Sequence, residues 1–274
     1  MTINFQRIIS IALNYKKNFH CSLKANFNTE IFETKVVDID HIEFHNPVII
    51  GGFVGSTLTG FIAASYIIER FQMHQVAHVK SPHIPPIAVF IGKKLRTPFR
   101  IYSNKSGNLM VAICEVPIDD EGLYEISGAL TSWFSESKPK DLIILEGSPV
   151  QQIVSEHKVY CIANEDLLKT FTSKGLEPAH SALITGMGGA LMNEALAHKI
   201  PAITFLTPAS ANIADPDSVL ALIENVNDAF GLKIDTAILE ESVKDFHNQL
   251  KELMSQYKKT YSKSDKTPSE SMYG

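Results

Sequence analysis

The sequence lacks the features that would place it in several specialised classes of protein. Its three cysteines, Cys21, Cys114 and Cys161, are an odd number and stand far apart in the chain. No CxxC pair occurs, so the sequence predicts neither a zinc ribbon nor a disulfide framework. Free thiols in a reducing compartment are the simplest interpretation, and we expect a soluble, cytoplasmic protein.

Long apolar runs and a strong excess of one charge are also missing. No stretch approaches the roughly 18 consecutive apolar residues of a membrane helix. The apolar run 8–13 is followed by polar residues rather than by a small-residue cleavage site, so no signal peptide is predicted. The formal net charge of -5 does not indicate nonspecific binding of nucleic acid. We therefore expect neither a membrane nor a nucleic acid as partner.

What the chain does have is a regular alternation of strand-like and helix-like segments. Short apolar runs predict strands at 36–39, 47–50, 76–79, 87–91, 99–103, 109–116, 142–145, 159–163, 182–185 and 202–205. Apolar spacings of three and four predict helices within 58–71, 123–134, 165–174, 190–198 and 215–230. Such alternation predicts an α/β domain with a mainly parallel sheet covered by helices on both faces.

Composition divides the chain into three predicted parts. Residues 1–30 fit no clear element and form an N-terminal extension. Residues 31–257 contain the α/β alternation without a strong internal linker. Residues 258–274 are almost entirely polar or charged, so we expect a disordered tail.

Two glycine-rich segments follow predicted strands and precede predicted helices. A turn of this kind can direct backbone amides towards an anion. The segment 51–60 lacks the lysine of a phosphate-binding loop after Gly60, and neither segment has the Gly-x-Gly-x-x-Gly order of a dinucleotide site. The glycines are therefore candidates either for binding an anion or ligand or for tight structural turns. They are Gly51, Gly52, Gly55, Gly186, Gly188 and Gly189.

No catalytic arrangement stands out in the sequence. Pro149 after Ser148 breaks the nucleophile-elbow pattern, and the ten histidines are scattered without metal-ligand spacing. His83 lies in a proline-rich connector, where a lone histidine is more often solvated than functional. We expect no catalytic residues, no metal and no cofactor.

The C-terminal region contains two further patterns. Apolar residues from Leu239 to Tyr257 recur at spacings of four and three, which predicts an amphipathic helix that packs within the domain or against another subunit. The chain then ends in Met272, Tyr273 and Gly274, a hydrophobic residue, a tyrosine and a terminal residue. These three are the candidate partner-binding residues.

Taken together, several motifs resemble the proteasome assembly chaperone family in its archaeal-type, single-chain form. The matching segments run from about Val36 to Leu253. They are 48–55 with its glycine turn, the connector 81–86, 100–102, 185–189, and Asp215-Pro216 before its helix.

The resemblance implies a three-layer α/β/α domain of phosphorylase/hydrolase type without an established catalytic centre. It also implies self-association and binding to proteasome α subunits. The tail looks like the hydrophobic–tyrosine–any-residue motif that docks into pockets between α subunits. There the Gly274 carboxylate would pair with a pocket lysine and Tyr273 would pack at the rim.

Two functions from different classes follow as hypotheses. The first is a non-enzymatic chaperone or adaptor that assists assembly or activation of the proteasome core particle. The alternative is an enzyme or binding protein for a nucleotide or other small molecule on a phosphorylase-like fold. The missing phosphate-loop lysine and the absence of a metal-binding carboxylate cluster in the sequence pattern favour the first.

Overall fold

Alternating strands and helices build the part of the chain that the computed structural model describes, which is residues 33–40, 42–91, 93–151, 156–211 and 215–245. The strands are β1 (Lys35–Asp38), β2 (Val48–Phe53), β3 (His74–Lys80), β4 (Val89–Ile91), β5 (Lys94–Arg96), β6 (Phe99–Ser103), β7 (Leu109–Cys114), β8 (Asp141–Val150), β9 (Tyr160–Ala163), β10 (Glu177–Pro178) and β11 (Ala202–Ser210). The helices are α1 (Thr59–Arg70), α2 (Asp120–Glu136), α3 (Glu165–Thr172), α4 (Gly186–His198) and α5 (Pro216–Phe230).

Nine of these strands form one mixed sheet in the order β1-β3-β6-β7-β2-β8-β11-β9-β10. Its centre is parallel, because β7, β2, β8 and β11 pair in the same direction. Antiparallel pairs flank this centre, and one of them is the pair of β6 and β7. Strands β4 and β5 form a separate two-stranded sheet. The predicted α/β class with a parallel central sheet is confirmed.

Helices cover both faces of the sheet, as predicted. Helices α1 and α5 pack together over one face, where the buried hydroxyls of Thr59 and Ser218 lie 2.9 Å apart. Helices α2 and α4 pack over the other face, where Ile126 and Leu191 join a core with Ile144 of β8. Successive residues of a strand point to opposite faces, so the buried run at the start of β8 supplies both cores.

Capping by side chains and glycine differs from one helix end to another. Asp215 caps α5, since its carboxylate accepts a hydrogen bond from the Ser218 amide at 3.1 Å. Gly231 ends that helix in the left-handed conformation, with φ of 64°. Asp119 precedes α2 without a side-chain hydrogen bond to its first turn. The start of α2 therefore has no side-chain cap.

The predicted strand at 182–185 is wrong. These residues form no strand, and Leu183 among them is 84% exposed. The segment instead leads directly into α4, which begins at Gly186 rather than near Ala190. The Ile184 carbonyl lies against Gly189, and a side chain at Gly189 would overlap it.

The chain divides into two compact units, Met1–Ile234 and Asp235–Gly274. The first contains the sheets and the five helices. In the second, residues 237–245 are helical, which agrees with the start of the predicted amphipathic helix. Among the helices that the structure describes, none combines the length and the hydropathy that a membrane crossing requires.

Candidate functional site

The first glycine segment lies where β2 passes into α1 at the carboxyl end of the parallel sheet. Gly51 and Gly52 are residues of β2, so the turn itself begins after Phe53 and contains Gly55. Crevices at this end of an open parallel sheet are common ligand sites. The geometry of the turn therefore bears directly on the predicted choice between ligand binding and a structural role.

Hydrogen bonds within the protein occupy several amides of this turn. The Val54 amide donates to the Cys114 carbonyl at 3.1 Å, and the Gly55 amide to the Thr57 carbonyl at 3.3 Å. The Thr59 amide donates to the Thr57 hydroxyl at 3.4 Å. Amides engaged in this way are not available to cradle a phosphate.

Close packing explains the glycines beside the turn. A Cβ on Gly52 would overlap the Gly60 carbonyl oxygen, and a Cβ on Gly60 would overlap the Leu145 carbonyl oxygen. Helix α1 therefore approaches β2 and β8 more closely than any side chain would permit. Gly55 differs, because nothing lies within 4 Å of its Cβ position.

The second glycine segment is the first turn of α4 rather than a separate loop. Gly186 has a positive φ of 65°, a conformation that favours glycine. At Gly188, glycine is needed because neighbouring side chains leave no room for a Cβ. A Cβ on Gly188 would overlap the carboxyl group of Glu146 and lie 3.0 Å from Cγ2 of Ile144. Gly51 also faces Ile144, with 3.1 Å between its Cβ position and Cδ1. The two segments thus meet across Ile144.

Glu146 at the end of the buried part of β8 was not predicted as a functional residue. Burial raises the pKa of Glu146 from an ordinary value near 4.5 to about 8, so the carboxyl group is largely protonated at neutral pH. A protonated carboxyl beside the first turn of α4 is a neutral hydrogen-bonding group. Its proximity to Gly188 across the fold is invisible in the sequence.

A buried ion pair joins β6 to the end of β7 at the same end of the sheet. The Arg100 guanidinium pairs with Oε1 of Glu115 and donates to the Tyr102 hydroxyl at 2.8 Å and the Thr97 carbonyl at 2.6 Å. Burial by itself lowers the pKa of Arg100, but Tyr102 and Glu115 outweigh it and the pKa is raised. With its donors engaged by protein groups, Arg100 serves to hold the two strands together.

The described nucleophile candidates are not activated. Burial raises the pKa of the Cys114 thiol to about 12, and burial also raises that of Cys161. His83 lies 3.1 Å from the Glu125 carboxylate, and its ring packs against Gly122 of α2. His83 is thus a partnered contact between the connector and α2 rather than the solvated residue that the sequence predicted.

The three tail residues Met272, Tyr273 and Gly274 lie outside the described residues. The same is true of the predicted amphipathic helix beyond residue 245. Docking through the tail therefore stays a prediction.

The domain architecture and the sequence define an α/β protein of a known family. The family model for the PAC2 family matches residues 49–254. The chain therefore belongs to the PAC2 family, which agrees with the resemblance seen in its motifs.

Solved structures give the same result for the fold. A protein of unknown function from Thermoplasma acidophilum is 48% identical, with a TM-score of 0.69 over 82% of this chain and 92% of that one. Pyrococcus furiosus PbaA, described as an archaeal homolog of proteasome-assembly chaperone, is 23% identical, with a TM-score of 0.74 over 85% and 96%. PbaB from the same organism, described as an archaeal proteasome activator, is 22% identical, with a TM-score of 0.73 over 82% and 100%.

Proposed function

We propose that this protein is a non-enzymatic, cytoplasmic chaperone or adaptor that binds proteasome α subunits and assists core-particle assembly or activation. The observation that carries the proposal is membership of the PAC2 family together with a fold shared with PbaA and PbaB. Those two proteins are described as a proteasome-assembly chaperone homolog and a proteasome activator.

The described chemistry supports binding rather than catalysis. The amides of the β2–α1 turn bond within the protein, and packing accounts for glycine at positions 52 and 188. The thiols of Cys114 and Cys161 have raised pKa values, which disfavours thiolate chemistry. No described feature of the glycine segments specifically favours the nucleotide-binding alternative.

The proposed division of labour follows the three parts predicted from composition: an extension over 1–30, an α/β domain over 31–257 and a tail over 258–274. In this proposal the tail is a tether for Met272, Tyr273 and Gly274. A flexible chain of its 17 residues has a root-mean-square span of about 20–25 Å, enough for Tyr273 to reach a pocket on a neighbouring subunit. The Gly274 carboxylate would form a charge-assisted bond there, and Met272 would supply apolar contact.

Self-association is part of the same proposal, and the β4–β5 hairpin supports it. Phe90 and Leu95 face each other across this hairpin and are 69% and 72% exposed. An isolated two-stranded sheet is marginally stable, and large exposed apolar side chains mark surfaces that partners cover. Several tails on one oligomer would raise affinity by about 10²–10⁴ where geometry allows simultaneous docking.

Light scattering tests self-association directly. We expect the wild-type chain to be a homo-oligomer and Phe90→Ser to shift it towards smaller species. Lys94→Ser is the matched control, because it changes an exposed residue of the same hairpin without removing apolar surface. A wild-type monomer at working concentration would show that self-association is wrong.

Co-purification with proteasome α subunits from the same organism tests the central proposal. We expect the wild-type chain to retain them and deletion of 272–274 to reduce retention. Tyr273→Ala should act like the deletion, whereas Tyr261→Ala changes another tyrosine of the same segment and should not. Failure of the wild-type chain to bind would contradict the chaperone role. Equal binding by every variant would contradict docking by the tail alone.

A further inference from the structure

A histidine and two aspartates converge at the end of β11, away from the glycine segments. The side chains of His157, Asp215 and Asp217 each present one ligand atom, and these atoms lie within 4.8 Å of one another. His157 precedes β9, whereas the aspartates begin α5, so the fold joins segments 58 residues apart. The side chains of His157 and Asp215 are only 9% and 8% exposed.

The hydrogen bond of one ring nitrogen determines the tautomer of His157. Its Nδ1 lies 2.9 Å from the Pro208 carbonyl oxygen. A carbonyl oxygen can only accept, so Nδ1 must donate its proton there. In a neutral imidazole, Nε2 then carries the lone pair and is free to bind a metal ion. Metal-binding histidines characteristically donate their other N–H to a carbonyl or carboxylate in this way.

The atom that Nε2 faces is another acceptor. Oδ1 of Asp215 lies 3.6 Å from Nε2, which is longer than the 2.7–3.2 Å of an ordinary N–H···O hydrogen bond. Two acceptors at this distance form no hydrogen bond with each other, and a metal ion between them would bind to both. With bonds of 2.0–2.2 Å and a tetrahedral angle, two ligands of one Zn²⁺ ion lie about 3.4 Å apart.

Backbone donors orient the Asp215 carboxylate. Oδ1 accepts from the Ser218 amide at 3.1 Å, and Oδ2 accepts from the Ser210 amide at 3.2 Å. Each oxygen retains a lone pair beyond these bonds. Both the imidazole and the carboxylate are therefore oriented by outer contacts before any ion binds, which lowers the cost of assembling a site.

We propose that His157 Nε2, Asp215 Oδ1 and a carboxylate oxygen of Asp217 bind a first-row divalent metal ion of the Zn²⁺ type. One imidazole and two carboxylates form a mixed nitrogen and oxygen ligand set that suits Zn²⁺ and Co²⁺ better than Mg²⁺ or Ca²⁺. The ion would join the segment before β9 to the start of α5. This inference does not depend on the proposed function.

Binding of ZnCl2 to the full chain, freed of metal with a chelator, tests the site by calorimetry. We expect about one equivalent of Zn²⁺ per chain and a higher melting temperature when it is bound. Co²⁺ provides a second readout, because its visible absorption reports a nitrogen and oxygen ligand set. The near-ultraviolet band of a thiolate ligand should be absent.

Two variants with matched controls locate the ion. His157→Asn keeps a donor where Nδ1 bonds Pro208 but removes Nε2, and it is compared with exposed His180→Asn. Asp217→Asn removes a carboxylate from the first turn of α5, and Asp166→Asn makes the same change in the first turn of α3. Circular dichroism checks that each variant folds.

The proposal predicts that His157→Asn and Asp217→Asn each weaken Zn²⁺ binding at least tenfold, while the two controls bind as the wild type does. Absence of stoichiometric binding by the wild-type chain would overturn it. Unchanged binding in either ligand variant would also overturn it.

Discussion

Two regions at the carboxyl end of the sheet differ in how their buried polar groups are bonded. Around β2 and β7, helix α1 packs directly on backbone at Gly52, and Arg100 directs its donors at Glu115, Tyr102 and Thr97. Around the ends of β8 and β11, Glu146 has a raised pKa, and His157 faces an acceptor beyond hydrogen-bond distance. In the first region a buried charge is paired with protein groups, and the second region contains the histidine–aspartate cluster that we propose binds a metal ion.

The difference teaches where function should be sought. Removing one member of a buried pair breaks the bonds that join elements of the fold, whereas removing a group that makes few bonds within the protein costs the fold less. Substitutions in the first region should therefore cost folding free energy, and those in the second should change binding or pH dependence more than stability. Four predictions test this contrast.

The largest expected effect is that of Arg100→Met. Arg100 is the ion-pair partner of buried Glu115, whose Oε2 has no hydrogen-bond partner among the described residues. Removing one member of a buried pair leaves an uncompensated charge and costs about 3–5 kcal/mol of unfolding free energy. Urea denaturation measures the loss.

The double variant Arg100→Met with Glu115→Leu is the control for that prediction. It removes both charges, so we expect it to be clearly more stable than Arg100→Met alone. A double variant as unstable as the single one would mean that packing around Arg100, rather than the ion pair, stabilises β6 and β7.

Gly52→Ala should have the next largest effect. Its Cβ would overlap the Gly60 carbonyl oxygen and lie against Ala64, so α1 must move from β2 at a cost of about 1–3 kcal/mol. Gly55→Ala is the matched control, because its Cβ meets nothing within 4 Å and should change stability by less than about 0.5 kcal/mol. Equal melting temperatures for the two variants would refute the packing explanation.

The third prediction concerns pH and Glu146. Because burial raises the pKa of Glu146 from near 4.5 to about 8, the folded state binds more protons than the unfolded state between these values. Its contribution to unfolding free energy is therefore fully present below pH 4.5 and is lost as pH rises towards 8.

Glu146→Gln mimics the protonated carboxyl and should remove this dependence. Relative to the wild type, it should gain at least about 1 kcal/mol between pH 5 and pH 8, since one pKa unit corresponds to about 1.4 kcal/mol. Exposed Glu136→Gln is the control in the same denaturation series. Parallel pH profiles for Glu146→Gln and the wild type would contradict the raised pKa.

The smallest expected effect is that of His157→Asn in metal-free protein. The variant keeps the donor to the Pro208 carbonyl, so the unfolding free energy should change by no more than about 1 kcal/mol. If His157→Asn lowered the unfolding free energy as much as Arg100→Met, the proposed difference between the two regions would be wrong.

Much of the fold was predictable because it depends on local patterns. Apolar periodicity located the strands at the centre of the sheet, and Asp215-Pro216 with Gly231 bounded α5 by ordinary capping chemistry. The strand predicted at 182–185 was wrong because it was inferred from apolar residues alone. This short segment pairs with no strand, and Leu183 is exposed. The start of α4 was predicted too late in the chain, because the low helix propensity of glycine suggested a loop at Gly186.

The polar clusters were not predictable for a different reason. Strands β8 and β11 extend as a parallel pair through Val150 and Ser210, beyond the apolar runs that revealed them. That extension brings His157 to Asp215 and positions Glu146 beside Gly188. These contacts join segments far apart in the chain, and no spacing within one sequence encodes them.

The affinity of the full chain for proteasome α subunits, measured with one alanine added after Gly274, tests the central claim most directly. The addition retains every side chain of the tail and moves only the terminal carboxylate. Loss of a charge-assisted hydrogen bond worth about 1.5–3 kcal/mol corresponds to a tenfold or greater rise in Kd. We predict that rise for the extended chain, with folding unchanged. An extended chain that binds as tightly as the wild type would contradict docking through the C-terminal carboxylate.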